Sequence, residues 1–298
     1  MRFLSPLRYP GGKGDLANFL EIVIERNNLT GTSFLEPFAG GAGASLRLLF
    51  KNVVKEVYLN DADIRIFALW HSILNETNRF VDSVFDVPLN IDEWKKQNEI
   101  CNLGSSEDLF KLGFACFYMN RCNRSGIIKG ARPIGGLKQT GKWDIGARFP
   151  RDGLVKRILW LKRNRDRIHL SCMDAKKFLQ ERRLDLASGG GFVYLDPPYV
   201  RQGGDLYMNQ YKWEDHVDLA EFICSQDYLH WIMTYDFHPM IQELYLKEGC
   251  RLFPFSLRYS LQQYTKGAEL LIAPSRVFLP KVMKCGSLEN VLEEICVG

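Results

Sequence analysis

Residues Phe192, Val193, Tyr194 and Leu195 run straight into Asp196-Pro197-Pro198-Tyr199. The four apolar residues read as a buried strand. Two prolines cannot continue it, so they fix a rigid turn at a sheet edge. A carboxylate, a carbonyl-rich turn and an aromatic ring then face one cleft. An exocyclic amine on a flat base needs these groups: acceptors for its N–H bonds and a face to stack on. The competing reading is a loop with an incidental carboxylate, which leaves the run of four unexplained.

A second cluster is Glu36-Pro37-Phe38-Ala39-Gly40-Gly41-Ala42-Gly43, after the short run Ser33 to Leu35. A glycine-rich turn after a first strand lets a nucleotide approach the backbone closely. The spacing is not the dinucleotide fingerprint, and there is no P-loop lysine. A plain strand-to-helix turn is the competing reading. Asp61 ends the next strand-like run, Val54 to Asn60. An acid there accepts hydrogen bonds from ribose hydroxyls or simply caps the following helix. Near the N-terminus, Tyr9-Pro10-Gly11-Gly12-Lys13 permits close approach and offers a lysine to a carboxylate. Alone, it reads equally as a surface turn.

The fourth cluster, Phe117 to Gly126, sets Asn120, Arg121, Asn123 and Arg124 beside aromatics. Arg suits guanine edges, Asn suits adenine, and lysines suit phosphates; Phe117 and Met119 also fit a core. The cluster opens a basic stretch. From Arg121 to Arg167 there are 14 Lys/Arg against three acids, about +11, so the rest of the chain is about −7 within a net +4. Much of that charge lies in glycine-rich sequence, including Lys129, Arg132, Lys138, Lys142 and Arg148. This is a poor way to build a merely solvated face, and it suggests a polyanionic partner.

The elements that must position these residues follow from periodicity. Helices are expected over 14–28, 43–50, 63–82, 91–120, 151–166, 174–183, 214–226 and 239–247. Strands are expected over 33–36, 54–60, 169–172, 192–195 and 230–234, with a closing antiparallel pair at 252–258 and 269–273. Residues 126–150 read as a long loop or hairpin, a length that is usually functional. The result is a doubly wound, Rossmann-like α/β sheet with an inserted, mostly helical unit. The expected division is 1–70 with 168–298 as one discontinuous domain and 71–167 as a basic insert. With 298 residues and 46% hydrophobic content, the chain is long enough to bury a full core. No apolar run approaches the roughly 20 residues needed to span a bilayer, and Met1 to Pro6 lacks a signal-peptide core. Eight scattered cysteines with no Cys-x-x-Cys pair argue against a zinc knuckle or disulfide framework. No pattern implies a metal. A cytoplasmic protein is expected.

In order and wording these motifs resemble the Dam-type adenine-N6 DNA methyltransferases, the alpha group of amino-methyltransferases, over nearly the whole chain. The resemblance implies S-adenosylmethionine as cofactor and double-stranded DNA as partner. It implies a cofactor pocket lined by Tyr9, Gly12, Lys13, Pro37, Phe38, Ala39, Gly40, Gly41, Asp61, Asp174, Ala175 and Asp196, with Asp61 on the ribose and Asp174 near the adenine ring. Asp196, Pro197, Pro198 and Tyr199 become the catalytic tetrad. Lys266 to Ile272 is similar to the family's closing strand. Only 99 residues follow Tyr199, about what the remaining sheet requires, so DNA recognition must lie between Asp61 and Asp174. The residues expected to meet DNA are Asn120, Arg121, Asn123, Arg124, Lys129, Arg132, Lys138, Lys142 and Arg148.

Family members that read GATC tend to carry Asn-Gly and then Arg where this chain has Ser125-Gly126 and then Lys129, so GATC is not assumed. The resemblance implies site-specific transfer of a methyl group to the N6 amine of a flipped adenine, by a monomer encoded in a bacterium, archaeon or phage, in a restriction-modification or other setting. Cytosine-N4 methylation is the chemical neighbour, although Ser is commoner there in place of Asp196. Glutamine-modifying protein methyltransferases favour Asn there and lack a basic insert. Two further readings stay open: an RNA substrate, and a cofactor-binding, non-catalytic DNA binder.

Overall fold

The protein is described by a computed structural model covering residues 4–8, 13–105, 108–188, 190–200, 211–260, 264–285 and 288–295. Its strands are β1 Ser33–Glu36, β2 Glu56–Asn60, β3 Ile168–Ser171, β4 Gly191–Leu195, β5 His230–Asp236, β6 Arg251–Ser260, β7 Tyr264–Ala273, β8 Val282–Cys285 and β9 Leu288–Val291. β1 and β4 are buried along their whole length. That explains their unbroken apolar character, since a strand covered on both faces has no polar alternation. The main sheet has the order β3-β2-β1-β4-β5-β7-β6. It is parallel from β3 to β5, and β7 pairs antiparallel between β5 and β6. The chain crosses from one side of the sheet to the other between β1 and β4, where ligands bind in open α/β sheets.

The helices are α1 Ala17–Arg26, α2 Gly43–Phe50, α3 Ile64–Asn75, α4 Thr77–Asp86, α5 Ile91–Leu103, α6 Leu109–Cys122, α7 Arg151–Arg163, α8 Ala175–Glu181, α9 Arg183–Ala187, α10 Trp213–Cys224 and α11 Pro239–Lys247. Two expected helices are each split. The stretch 63–82 breaks at Glu76, whose φ of −121° and ψ of 39° are not helical. The stretch 91–120 stops at Gly104, in the left-handed region, and restarts at the Asp108 cap, whose side chain accepts from the Phe110 and Lys111 N–H groups. The small hairpin β8–β9 was not expected from the sequence.

Five helices, α3 to α7, lie between the neighbouring strands β2 and β3. They do not build a core apart from the sheet. One continuous apolar cluster runs from Phe34, Phe192 and Ile232 through Trp70 to Phe80, Phe114 and Phe117. The α3–α6 crossing is close because Gly113 has no side chain: a Cβ there would overlap the Ala68 carbonyl. The opposite face is covered by α8, α10 and α11 through Phe178, Leu219 and Ile241. Cys224 and Cys250, far apart in sequence, bring their free thiols to 3.1 Å. Among the described residues no helix is long and apolar enough to cross a membrane.

Candidate active site and nucleic-acid interface

The turn after β1 is held open by its backbone. Gly40 has φ of 42° and Ala42 has φ of 48°. For Ala42 the left-handed conformation costs roughly 1 kcal/mol, and non-glycine residues keep it where surrounding contacts impose it. Those contacts are visible. The Ala42 N–H donates to the Ala39 carbonyl at 2.6 Å, and the Ala39 N–H donates to the Asn60 carbonyl at 2.8 Å. The Trp70 indole donates to the Gly40 carbonyl at 2.9 Å. Glu36 turns inward and accepts from the Ser45 hydroxyl. Burial pushes its carboxyl up to about 8, with the Asp196 charge adding to the rise, so Glu36 keeps its proton at neutral pH.

Asp61, at the end of β2, accepts from the Gly40 N–H at 3.0 Å and from the Asp63 N–H at 2.9 Å. Withdrawal from water still pushes its carboxyl up to about 6. The helix cap is a different residue: Asp63 caps α3 and holds the Arg65 guanidinium with both carboxylate oxygens. Asp61 is thereby left to tie the glycine turn to the strand end. Sequence reasoning missed its neighbour. The buried Asn60 side chain donates to the Pro37 and Met173 carbonyls at 3.0 and 2.9 Å and accepts from the Met173 N–H at 3.2 Å. One amide thus joins the loops after β1, β2 and β3.

Asp174 is exposed and caps α8, its Oδ1 accepting from the Lys176 and Lys177 N–H groups; Ala175 is buried beneath it. Phe38 is partly exposed and meets the Tyr211 ring edge-on at 5.9 Å. Pro37, Ala39, Gly40 and Gly41 are buried in the turn. Tyr9 and Gly12 lie outside the described residues. Lys13 begins a short 3-10 helix, Lys13–Leu16, which runs beside the glycine turn: Gly14 approaches the Gly43 carbonyl. Among the described residues no group of His, Cys, Asp or Glu side chains could hold a metal ion.

Asp196 follows β4 directly, beside Thr234 of β5. Its Oδ1 accepts from the Thr234 hydroxyl at 2.8 Å and from the Tyr199 hydroxyl at 3.1 Å. Pro197 and Pro198 are buried. Tyr199 is only 5% exposed, and its ring tilts against Tyr235 at 6.1 Å. The ring does not stand in an open cleft as expected, because its hydroxyl is tethered to the carboxylate. The turn is also held from β5: Asp236 accepts from the Val200 N–H at 3.2 Å.

The nine basic and amide residues expected to meet DNA divide into two groups. Asn120, Arg121 and Asn123 are buried. Asn120 accepts from the Arg8 N–H at 2.8 Å and donates to the Arg8 and Gly126 carbonyls. The Arg121 guanidinium donates to the carbonyls of Arg148 and Pro6, and burial brings it down to about 9. Asn123 accepts from the Trp94 indole at 2.7 Å and donates to the Ile127 carbonyl at 2.8 Å. In this structure these three fold the loop and present nothing outward. Gly126 completes the clasp. Its φ is 78°, and a Cβ there would strike the Arg8 carbonyl. Sequence reasoning missed Arg8, whose guanidinium donates to the Asn123 carbonyl at 3.0 Å.

Arg124, Lys129, Arg132, Lys138, Lys142 and Arg148 are all exposed. Apart from the short 3-10 turn Arg124–Gly126, they ride on a loop without helix or strand that is nonetheless well tied. Asn123 and Pro133 form a β-bridge. The Gln139 side chain donates to the Ile134 and Gly136 carbonyls and accepts from the Ile145 N–H. Trp143, 61% exposed, stands among the lysines, with the Lys142 ammonium 5.7 Å from its ring. That combination of cations and a flat ring suits a phosphate backbone with stacked bases.

Comparison with known proteins adds three findings. The family model for D12 class N6 adenine-specific DNA methyltransferases matches residues 9–257. Comparison with curated proteins finds no match. Solved structures similar to this chain include PH1948 of Pyrococcus horikoshii, a proposed RNA methyltransferase, at 9% identity and TM-score 0.38, covering 90% of this chain and 87% of that one. They also include the rRNA methyltransferase AviRa of Streptomyces viridochromogenes, at 11% identity and TM-score 0.33, covering 87% and 85%.

Proposed function

This chain belongs to the D12 class of N6 adenine-specific DNA methyltransferases, and on that premise we propose that it methylates a flipped-out adenine at a specific DNA site, with S-adenosylmethionine as donor. The observation that carries the reading is the Asp196 carboxylate, held at the end of β4 beside the glycine turn, at the sheet's topological switch point. The residues at that edge fit the cofactor. Phe38 offers a ring, Gly40 and Gly41 a close backbone, Asp61 a carboxylate for the ribose, and Asp174 a second carboxylate for the adenine end. Bound there, the cofactor supplies an electrophilic methyl group.

The chain's own residues do the rest. Extruding the adenine costs a few kcal/mol, which the basic loop offsets through phosphate contacts. The Asp196 carboxylate and the Pro197 carbonyl accept the two N6 hydrogens. That draws the nitrogen lone pair out of ring conjugation and aims it. Entry of the base exchanges the Tyr199 hydroxyl for an N6 hydrogen at Asp196, and the released ring stacks on the base. After transfer the amine is acidic, and Asp196 accepts its proton. Much of the rate comes from alignment. In this reading 71–167 is the recognition unit, 1–70 with 168–298 is the catalytic unit, and the enzyme acts as a monomer.

The test is single-molecule sequencing of DNA from a methylation-free bacterial host expressing the protein, with Asp196→Ala as control. The expected result is N6-methyladenine in one fixed motif, absent in the mutant, while the mutant still binds duplex DNA. Wild-type methylation by Asp196→Ala would sink the mechanism. Unmodified DNA from a folded, cofactor-binding protein would move the substrate to RNA, to be settled by competition with duplex DNA.

A further inference from the structure

We propose that Thr234 is a positioning residue for the Asp196 carboxylate, and that the buried Tyr194 hydroxyl positions Thr234 in turn. The proposal rests on the reading of Asp196 as the amine's acceptor. Sheet register brings the three together. Leu195 of β4 pairs with Met233 of β5, so the next residues, Asp196 and Thr234, stand side by side where β4 ends and β5 continues. Thr234 Oγ1 donates to Asp196 Oδ1 at 2.8 Å, and Tyr194 Oη lies 2.8 Å from Thr234 Oγ1.

The direction of the chain follows from proton counting. A threonine hydroxyl has one hydrogen. Thr234 gives it to the carboxylate, so Tyr194 is the donor to Thr234. Tyr194 always has that hydrogen to give, because burial holds its hydroxyl well above the ordinary tyrosine range. Both residues have no exposed surface, so water does not compete for the Tyr194–Thr234 bond, and the Thr234–Asp196 bond is reached by solvent only from the carboxylate side.

A packing role alone does not account for the pair. β5 reads Trp231, Ile232, Met233, Thr234, Tyr235, and a valine would fill the Thr234 site with the same branched shape. Burying a hydroxyl is unfavourable unless it is bonded. Here two buried hydroxyls are arranged in series and end on the one carboxylate that meets the substrate. The Tyr199 hydroxyl also reaches Oδ1, but it belongs to the residue that yields its place to the base. Thr234 lies beneath the turn and keeps the carboxylate in one rotamer while the base enters. Catalytic groups work when locked in this way from behind.

The experiment compares Thr234→Val, Thr234→Ser, Tyr194→Phe and the Val/Phe double variant in the full-length enzyme. It measures kcat, KM for duplex DNA and for cofactor, and melting temperature. Losing a hydrogen bond to a charged group predicts a kcat roughly tenfold lower in Thr234→Val, with both KM values near wild type. Thr234→Ser should recover most of the loss. Tyr194→Phe should lose about threefold alone and nothing further in the Thr234→Val background, since it acts through Thr234. Wild-type kcat in Thr234→Val, or a loss that serine does not rescue, overturns the inference. If Thr234→Val does not fold, Tyr194→Phe decides: reduced kcat at constant KM supports it, and wild-type kcat overturns it. Asp196→Asn, run in parallel, separates the two readings. An active Asp196→Asn removes the parent mechanism, whereas an inactive one beside an unimpaired Thr234→Val removes only this inference.

Discussion

The C-terminal edge of the sheet and the basic loop both bury polar side chains, but they do so for opposite ends. At the sheet edge the polar groups hold one another and the carboxylates: Ser45 on Glu36, the Gly40 N–H on Asp61, Thr234 on Asp196. Here chemistry is prepared by withdrawing charge from water, which is why Glu36 and Asp61 titrate high. In the loop the buried groups Asn120, Arg121 and Asn123 bind main-chain atoms and shape the segment. The loop's other charges, from Arg124 to Arg148, remain in water. The lesson is that an Asn or Arg within a basic motif is as readily a clamp for the backbone as a reader of bases.

The strongest way to break this comparison is Asn120→Ala. It leaves the part-buried Arg8 N–H and carbonyl and the buried Gly126 carbonyl short of a partner. The expected cost is about 2–4 kcal/mol, a fall in melting temperature on the order of 5 °C or more. A variant that melts like wild type but loses DNA affinity would make Asn120 a base reader after all.

A smaller effect sharpens the sheet-edge side. Asp61 has a folded pKa raised from 3.8 to about 6. A raised acid favours the protonated folded state, so its contribution to stability is complete below 3.8 and is lost as pH rises through 6. On the proposed function, cofactor binding should run the other way, because ribose hydroxyls would donate to the ionised carboxylate. Titration calorimetry should show the cofactor dissociation constant rising by up to tenfold per pH unit below about pH 6. Asp61→Asn should bind more weakly at pH 8 and flatten that dependence. A slope that persists in Asp61→Asn would assign the titration to another group.

The smallest expected effects are on the loop surface. Lys138→Gln and Lys142→Gln should each weaken duplex binding a few-fold whatever the sequence, and lower the salt slope by about 1 apiece. Neither should move the melting temperature. An unchanged salt slope in both would take the loop tip off the phosphate backbone.

Much of this was legible in the sequence, for local reasons. Buried parallel strands announce themselves as apolar runs, and prolines and glycines mark where they end. The turn at Asp196 and the glycine turn after β1 were readable because each is a contiguous string. The unread parts depend on distant partners. Asn60 is joined to Pro37 and Met173, Arg8 to Asn120, and Thr234 to Asp196 across 38 residues. Nothing in Phe117 to Gly126 says that two asparagines and an arginine point inward while Arg124 points out. That follows from Arg8 and Trp94 supplying the complementary atoms for the asparagines, and Pro6 and Arg148 the carbonyls for Arg121. The break at Glu76 was missed because the helical period carries on across it from Ile73 to Phe80, whereas the stop at Gly104, followed by the polar run Ser105 to Asp108, was a cap signal left unread.

The Asn60 side chain has one more implication, for how the protein is born. Its partner Met173 lies 113 residues later in the chain, beyond all five inserted helices. At about 5–20 residues per second, a ribosome takes on the order of 10 s to deliver it. For that interval the first two strands and the glycine turn are already outside the tunnel, with the Asn60 amide able to reach Pro37 but short of its Met173 partners. The five helices are completed before β3 can dock, so the basic loop is made before the Asn60 clasp across the three strand ends can close.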